Sequence, residues 1–313
     1  MNINDNINTT DYVIAIPSYK REETLKKKTM KVLNEYNIPR KKIFVFVSDK
    51  NQQKLYEDIL EPKSYNKIVV GKPGIQHIRN FMPKYFPENK HIVYMDDDIS
   101  KISICNNNNI NRDGSYDKKD NKLERLTNLD KFIKDAFKMS KKTGYTNWGV
   151  YPTDNPYFMK PTMKNNKHVT QDLRFLIGFL TGVVNNRKAE IRSIGDKEDY
   201  ERTIKYYLKD GGVLRHNNIS CNTNCYKEPG GIQATRKVED SKNNAEYLMK
   251  TYPKFVSVNN GRKSGFVEIR LKDRSSSDNS KKSKRKQRTT QLNNTNVNKT
   301  GIIRSVTLKK KEK

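Results

Sequence analysis

Ile92-Val93-Tyr94-Met95-Asp96-Asp97-Asp98 runs from four apolar or aromatic residues straight into three carboxylates. A short apolar run rich in β-branched and aromatic residues predicts a buried strand. Three adjacent carboxylates at its end repel one another, and a divalent cation is the simplest source of the opposing charge. Side chains alternate along an extended chain, so Asp96 and Asp98 are expected on one side, sharing Mn²⁺ or Mg²⁺ that in turn holds a diphosphate. The competing reading is a solvated acidic turn ahead of Ser100.

Three more strand-like runs lie upstream. Tyr12 to Ile16 ends at Pro17 and Ser18 and leads into a helical pattern through Leu25, Val32 and Leu33. Ile43 to Val47 ends at Ser48 and Asp49 before an amphipathic stretch from Gln52 to Leu60, and Ile68 to Val70 ends at Gly71, Pro73 and Gly74 before a helix starting over Ile75 to Phe81. Strands alternating with helices predict an α/β fold, a mixed sheet flanked by helices, with ligands at the carboxyl ends of the strands. Downstream, the spacing predicts a helix over Leu123 to Met139, a buried strand within Phe175 to Val184, a helix over Asp199 to Leu208 and a short strand within Val213 to Ile219. Residues 106–122 read as an insertion.

The 313 residues carry a formal net charge of +28. Fourteen basic and three acidic residues from Lys272 onward contribute +11 of this, leaving +17 on residues 1–271. That sign favours polyanions such as DNA, RNA or an anionic membrane surface. Codon bias in an AT-rich genome is the plain alternative source of the many Lys and Asn residues. Residues 1–10 and 272–313 are polar and are expected to be disordered, the latter as a basic tail. Cys105, Cys221 and Cys225 cannot all pair, and no apolar stretch has the length of a membrane span, so the expectation is an intracellular protein. Cys221 and Cys225 have a metal-like spacing with His216 nearby, but no second pair at zinc spacing accompanies them.

Other chemistry-bearing residues follow from position. Arg79 falls one turn inside the helix after Gly74, where side chain and helix dipole can both meet phosphate, and Lys72 precedes that helix. Asp196, Glu198 and Asp199 open a helix, as caps or as a general base for an acceptor hydroxyl. His216 reads as a metal ligand, a base or a structural histidine.

With these residues in place, Val13 to Arg21 resembles the opening nucleotide-binding strand of GT-A fold glycosyltransferases, and Asp96-Asp97-Asp98 resembles their acidic metal motif. Gly74 to Asn80 looks like the helix whose arginine contacts the donor in that family. Together with Met95 to Ile99 and the late run Tyr252 to Leu271, this segment is similar to the TET/JBP-associated glycosyltransferases, to which the base J glucosyltransferase is related. The resemblance implies a GT-A domain over residues 11–271, with a nucleotide-sugar half over 11–105 and an acceptor half over 123–271. It implies a UDP-sugar donor, UDP-glucose foremost, bordered by Pro17, Ser18, Tyr19, Arg21, Asp49, Lys72, Arg79, Asp96 and Asp97. Metal is expected on Asp96, Asp98 and His216, and Glu198 or Asp199 is expected to face the acceptor as base. The implied acceptor is the hydroxyl of a 5-hydroxymethylpyrimidine in DNA, in the nucleus or cytoplasm of a host if the chain is viral. A protein or glycan acceptor and a non-catalytic nucleic-acid-binding protein are the competing functions; a two-metal nucleotidyltransferase lacks its Gly-Ser fingerprint.

Overall fold

A computed structural model describes residues 11–106, 122–159, 168–223, 229–231, 237–259 and 266–272. These residues all fall within one compact unit that ends at Lys272. The expectations for residues 1–10, for the insertion at 107–121, for the tail from 273 and for Cys225 lie outside the described residues.

The first half runs β1 (Tyr12–Pro17), α1 (Glu22–Leu25), α2 (Lys31–Glu35), β2 (Ile43–Val47), α3 (Lys50–Ile59), β3 (Lys67–Val70), α4 (Ile75–Tyr85) and β4 (His91–Met95). A π-helical segment, Lys26–Met30, joins α1 to α2. The second half runs β5 (Lys101–Asn106), β6 (Lys122–Arg125), α5 (Leu129–Thr143), β7 (Asn147–Val150), β8 (Val169–Thr170), β9 (Leu180–Val184), α6 (Glu198–Asp210), β10 (Leu214–His216), β11 (Ile219–Asn222), α7 (Val238–Thr251), β12 (Val256–Val258) and β13 (Ile269–Leu271).

Among the described residues the main sheet has eight strands in the order β3-β2-β1-β4-β9-β7-β10-β8. The first four are parallel, while β9 runs antiparallel to both β4 and β7. Two small sheets, β11-β5-β6 and β12-β13, flank it. This is the mixed sheet with covering helices that the strand–helix alternation predicts.

Helices on both faces explain why the central strands are apolar throughout rather than alternating. Tyr12, Ile14 and Ile16 of β1 and Val93 and Met95 of β4 face a core shared with Leu25, Leu33, Tyr56, Ile133 and Phe137. Val13 and Ala15 of β1 and Ile92 and Tyr94 of β4 face the other core, with Ile78 and Met82 of α4 and Tyr206 of α6. Strand order reverses at β1: β2 and β3 lie to one side of it and β4 to the other. The crevice outside the carboxyl ends of β1 and β4 is therefore the switch point where α/β sheets bind ligands.

Three expected boundaries are corrected. The helix expected over Leu123 to Met139 begins at Leu129, because residues 122–125 pair with β5 as β6 and Asn128 caps the helix by accepting from the Lys131 amide at 2.8 Å. Only Leu180–Val184 of the run from Phe175 is strand. Val213 to Ile219 divides between two sheets, with β10 beside β7 and β11 beside β5. Each segment has the local composition of the expected element, and tertiary pairing decides its extent.

At Gly182, paired opposite Trp148, an added methyl would sit inside the fully buried indole. Gly182→Ala is expected to cost about 1–3 kcal/mol and lower Tm by roughly 3–10 °C. Thermal unfolding by circular dichroism checks this, and an unchanged Tm contradicts it.

Candidate active site

The carboxylate triplet leaves β4 at the switch point, and strand parity separates its first two members. Asp96 continues the face of Ile92 and Tyr94, toward α4; Asp97 continues the face of Val93 and Met95, toward α3. Accordingly, the Arg79 guanidinium from α4 donates through Nη2 to Asp96 Oδ1 at 2.8 Å. Asp97, 4% exposed, accepts from Ser18 Oγ at 2.6 Å and from Arg21 Nη1 at 3.1 Å. Asp98 sits in the turn beyond and makes no hydrogen bond or ion pair with a described residue. Burial pushes its carboxyl up to about 7, and repulsion from Asp96 and Asp97 adds to the effect. Asp97 is also raised by burial, against the pull of Arg21 and Ser18.

The loop after β1 is held from α3. Tyr56 Oη shares a hydrogen bond of 2.7 Å with Ser18 Oγ and accepts from the Arg21 amide at 3.0 Å, while the Lys20 amide donates to Gln52 Oε1 at 2.8 Å. The Ser18 hydroxyl is thus committed to Asp97 and Tyr56, with Pro17 and Tyr19 half-buried beside it. Pro229-Gly230-Gly231 closes over the same loop: Arg21 Nε donates to the Pro229 carbonyl and the Gly231 amide to the Tyr19 carbonyl, both at 2.9 Å. Gly230 has φ +80°, and a Cβ there would come within 2.5 Å of the Lys20 carbonyl oxygen, so only glycine fits.

Across the crevice stands α6. Glu198 Oε1 lies 3.2 Å from Arg79 Nε, and Glu198 Oε2 accepts from Arg192 Nε at 2.8 Å. Arg192, 1% exposed, also pairs with the buried Glu190 carboxylate at 3.1 Å. Burial alone would raise Glu198, but Arg192, Arg79 and Arg202 hold its carboxyl well below the usual range. Asp199 moves the other way: burial raises it, Glu198 repels it further, and the charge of Arg202 with bonds from the Gly178 and Tyr200 amides only partly offsets this. Two adjacent carboxylates are therefore pushed in opposite directions, Glu198 held toward its charged form by guanidiniums and Asp199 toward its protonated form by burial and by Glu198. Gly178 also packs where a Cβ would lie 3.5 Å from Arg79 Nη2 and 3.7 Å from Glu198 Oε1.

The structure brings Ser18, Arg21, Arg79 and Asp96 to Asp98 together, and Glu198 joins them through Arg79. Asp49 instead caps α3, accepting from the Gln52 amide at 2.9 Å, and its carboxylate is exposed; Lys72 is exposed in the loop after β3. His216, expected as a metal ligand, a base or a structural histidine, is buried in β10. Its ring lies edge-on to Phe132 and Trp148 at 5.0 and 6.1 Å, and burial alone lowers its pKa, to about 4, with no carboxylate charge contributing. Cys221 is buried as a free thiol in β11.

Among the described residues no group of three or more His, Cys, Asp or Glu is arranged to hold a metal ion. Asp98, with no hydrogen-bond partner among the described residues, and the second oxygen of Asp96 fit a different pattern, in which one or two carboxylates share a Mg²⁺-like ion with phosphate and water. Arg79 Nη1, buried and without a hydrogen-bond partner, is a donor of the kind a diphosphate oxygen satisfies. Sequence reasoning missed Thr29, Tyr56, Gly178, Glu190, Arg192 and Arg202. Only Arg202 left a signal, four residues after Glu198 on one helix face.

No protein-family model matches the chain, and no curated protein matches it. Among solved structures it is similar to S. aureus TarS residues 1–349, at 14% identity and TM-score 0.43, over 67% of this chain and 59% of that one. It is similar also to the same fragment in complex with UDP, at 12% identity and TM-score 0.41, over 78% of this chain and 72% of that one. A third structure of S. aureus TarS gives 12% identity and TM-score 0.40, over 76% of this chain and 40% of that one. No helix among the described residues is long and apolar enough to cross a membrane. The chain spans 59% of the length of the first of these similar structures.

Proposed function

We propose that this protein is a metal-dependent glycosyltransferase of the GT-A fold, moving a hexose from a UDP-sugar, UDP-glucose foremost, to the hydroxyl of a 5-hydroxymethylpyrimidine in DNA. The observation that carries the reading is the meeting, at the carboxyl ends of β1 and β4, of the Asp96 to Asp98 turn with Arg79, whose buried Nη1 has no hydrogen-bond partner and whose guanidinium ties Asp96 to Glu198 at the start of α6.

In this reading Asp96 and Asp98 hold Mn²⁺ or Mg²⁺. The ion, when bound, neutralises charge developing on the departing diphosphate. Arg79, fixed between Asp96 and Glu198, offers Nη1 to the same oxygens without reorganising. Ser18 and Arg21 fix Asp97 and so the loop on which the uridine rests, with Pro17, Tyr19 and Asp49 at its border. Asp199 takes the acceptor's proton as the hydroxyl oxygen bonds to the anomeric carbon and the bond from that carbon to the diphosphate oxygen breaks. Glu198, held by two guanidiniums, is too weak a base for that step and serves instead to position Arg79. A DNA acceptor is supported by the net +28, which favours phosphate contacts; the target base would be extruded to reach the crevice.

The deciding experiment measures transfer of radiolabelled sugar from UDP-glucose, with Mn²⁺ or Mg²⁺, to matched duplexes carrying cytosine, thymine or their 5-hydroxymethyl counterparts. Label is expected only in a hydroxymethylated duplex, falling at least about 100-fold in Asp98→Ala. Metal-dependent UDP-glucose hydrolysis with no DNA labelled would retain the transferase and reject the DNA acceptor. No turnover with any nucleotide sugar would reject both.

A further inference from the structure

Thr29 is fully buried, yet its hydroxyl serves no neighbour in its own helix. A buried helical threonine ordinarily returns its hydroxyl to the carbonyl four residues back. Here Thr29 Oγ1 donates to the Asp96 carbonyl at 2.8 Å and accepts from the Ile99 amide at 3.0 Å, so one hydroxyl brackets the acidic turn at both ends. The helix makes this possible by widening: Lys26–Met30 is π-helical between α1 and α2. The extra residue in that turn changes the phase of the helix, so that Thr29 meets the turn while Leu25 and Leu33 stay in the core. Inserted π-turns carry a local cost, and their frequent occurrence at functional sites fits a segment kept for what it positions.

The acidic turn needs such a bracket. Asp96, Asp97 and Asp98 are three adjacent carboxylates that repel one another. Asp96 and Asp97 are each tied by a side-chain partner, to Arg79 and to Ser18 and Arg21, but Asp98 has none among the described residues. Its placement rests on the backbone of the turn. The Asp96 amide is fixed to the Phe179 carbonyl at 3.0 Å, and Thr29 fixes the far side.

We propose that Thr29 is a positioning residue for Asp98: its hydroxyl, presented by the π-helical turn, sets the backbone between Asp96 and Ile99 so that Asp96 and Asp98 converge on one divalent cation and the diphosphate it carries. This rests on the reading of Asp96 and Asp98 as the metal site. Val at position 29 keeps the shape and deletes both hydrogen bonds, whereas Ser keeps them.

The test compares wild type, Thr29→Val and Thr29→Ser as full-length chains, well below their melting temperatures. Hydrogen exchange of the peptide spanning 92–103 reads the bracket without ligand; free Mn²⁺ followed by electron paramagnetic resonance, with and without UDP, reads the site. Thr29→Val is expected to speed exchange at 97–100 and weaken Mn²⁺·UDP binding, each by about tenfold or more, with Thr29→Ser within about threefold of wild type. Thr29→Val that merely melts earlier, with wild-type exchange in this peptide or wild-type Mn²⁺ affinity, overturns the proposal and leaves the transferase reading intact. A wild type that binds neither Mn²⁺ nor UDP overturns both.

Discussion

Replacing Asp199 by Asn is expected to lower kcat for sugar transfer by about 10²–10⁴-fold while leaving UDP affinity within about threefold of wild type. The contrast follows from the contacts: the Arg79–Glu198 pair, which ties α6 to Asp96 on the proposed donor side, survives the substitution. The pH dependence is equally specific. Burial and the charge of Glu198 raise the Asp199 carboxyl to about 7, so the base form dominates only above that pH, and wild-type activity should fall as pH drops through 7. Asp98, raised by burial and its neighbours to the same region, contributes a second acid limb. Rising Mn²⁺ competes with the proton on Asp98 and moves that limb to lower pH, whereas the limb of Asp199 stays. A pH–rate profile of Asp199→Asn that is unchanged in height and shape removes Asp199 from the chemistry.

Linkage provides a check independent of turnover. A carboxyl raised above its unfolded value of 3.8 binds its proton more tightly in the native state, so its contribution is complete below that value and is lost as pH rises through about 7. Asp199→Asn removes the charged form and should therefore raise Tm at pH 8 relative to wild type, with little difference near pH 4. Glu198 has the opposite sign: its depressed carboxyl contributes fully above the unfolded value of 4.5 and is lost as pH falls well below it.

Arg192→Met is expected to destabilise the fold by about 3–5 kcal/mol, a Tm loss of roughly 10 °C. Arg192 is 1% exposed and lies between Glu190, 0% exposed, and Glu198, also donating to the Glu190 carbonyl. Removing it leaves two buried carboxylates facing each other without their shared cation. The loss should also reach the crevice, because Glu198 holds Arg79 and Arg79 holds Asp96. Pairing Arg192→Met with Glu198→Gln should recover part of the loss, since the stranded charge rather than the missing guanidinium is the larger cost. Additive effects in that double-mutant cycle, or a single variant as stable as wild type, would show that the chain of ion pairs is not coupled.

Much of the first half is legible without coordinates. Apolar runs at 12–16, 43–47, 68–70 and 92–95 become four adjacent parallel strands, because a strand buried on both faces must be apolar along its length and each run is bounded by turn-forming residues. The placement of Asp96 to Asp98 at a strand end follows from the same reading. The second half is less legible. Lys122 to Arg125 has no core-facing pattern and becomes a strand only because β5 offers it a partner, and nothing local announces that His216 packs against Phe132 and Trp148.

Sequence by itself determined the alternation of strands and helices, the parity that sends Asp96 and Asp97 to opposite faces of the sheet, and the charge that favours a polyanion. These are local or additive properties, carried by spacing and composition. Only the tertiary structure decided which of two adjacent carboxylates on α6 is pinned and which can take a proton, and that Thr29 brackets the acidic turn from 67 residues upstream of Asp96. Those outcomes depend on which guanidiniums and hydroxyls folding brings into a buried space, where a charge or hydrogen-bond partner a few ångströms away acts far more strongly than in solvent.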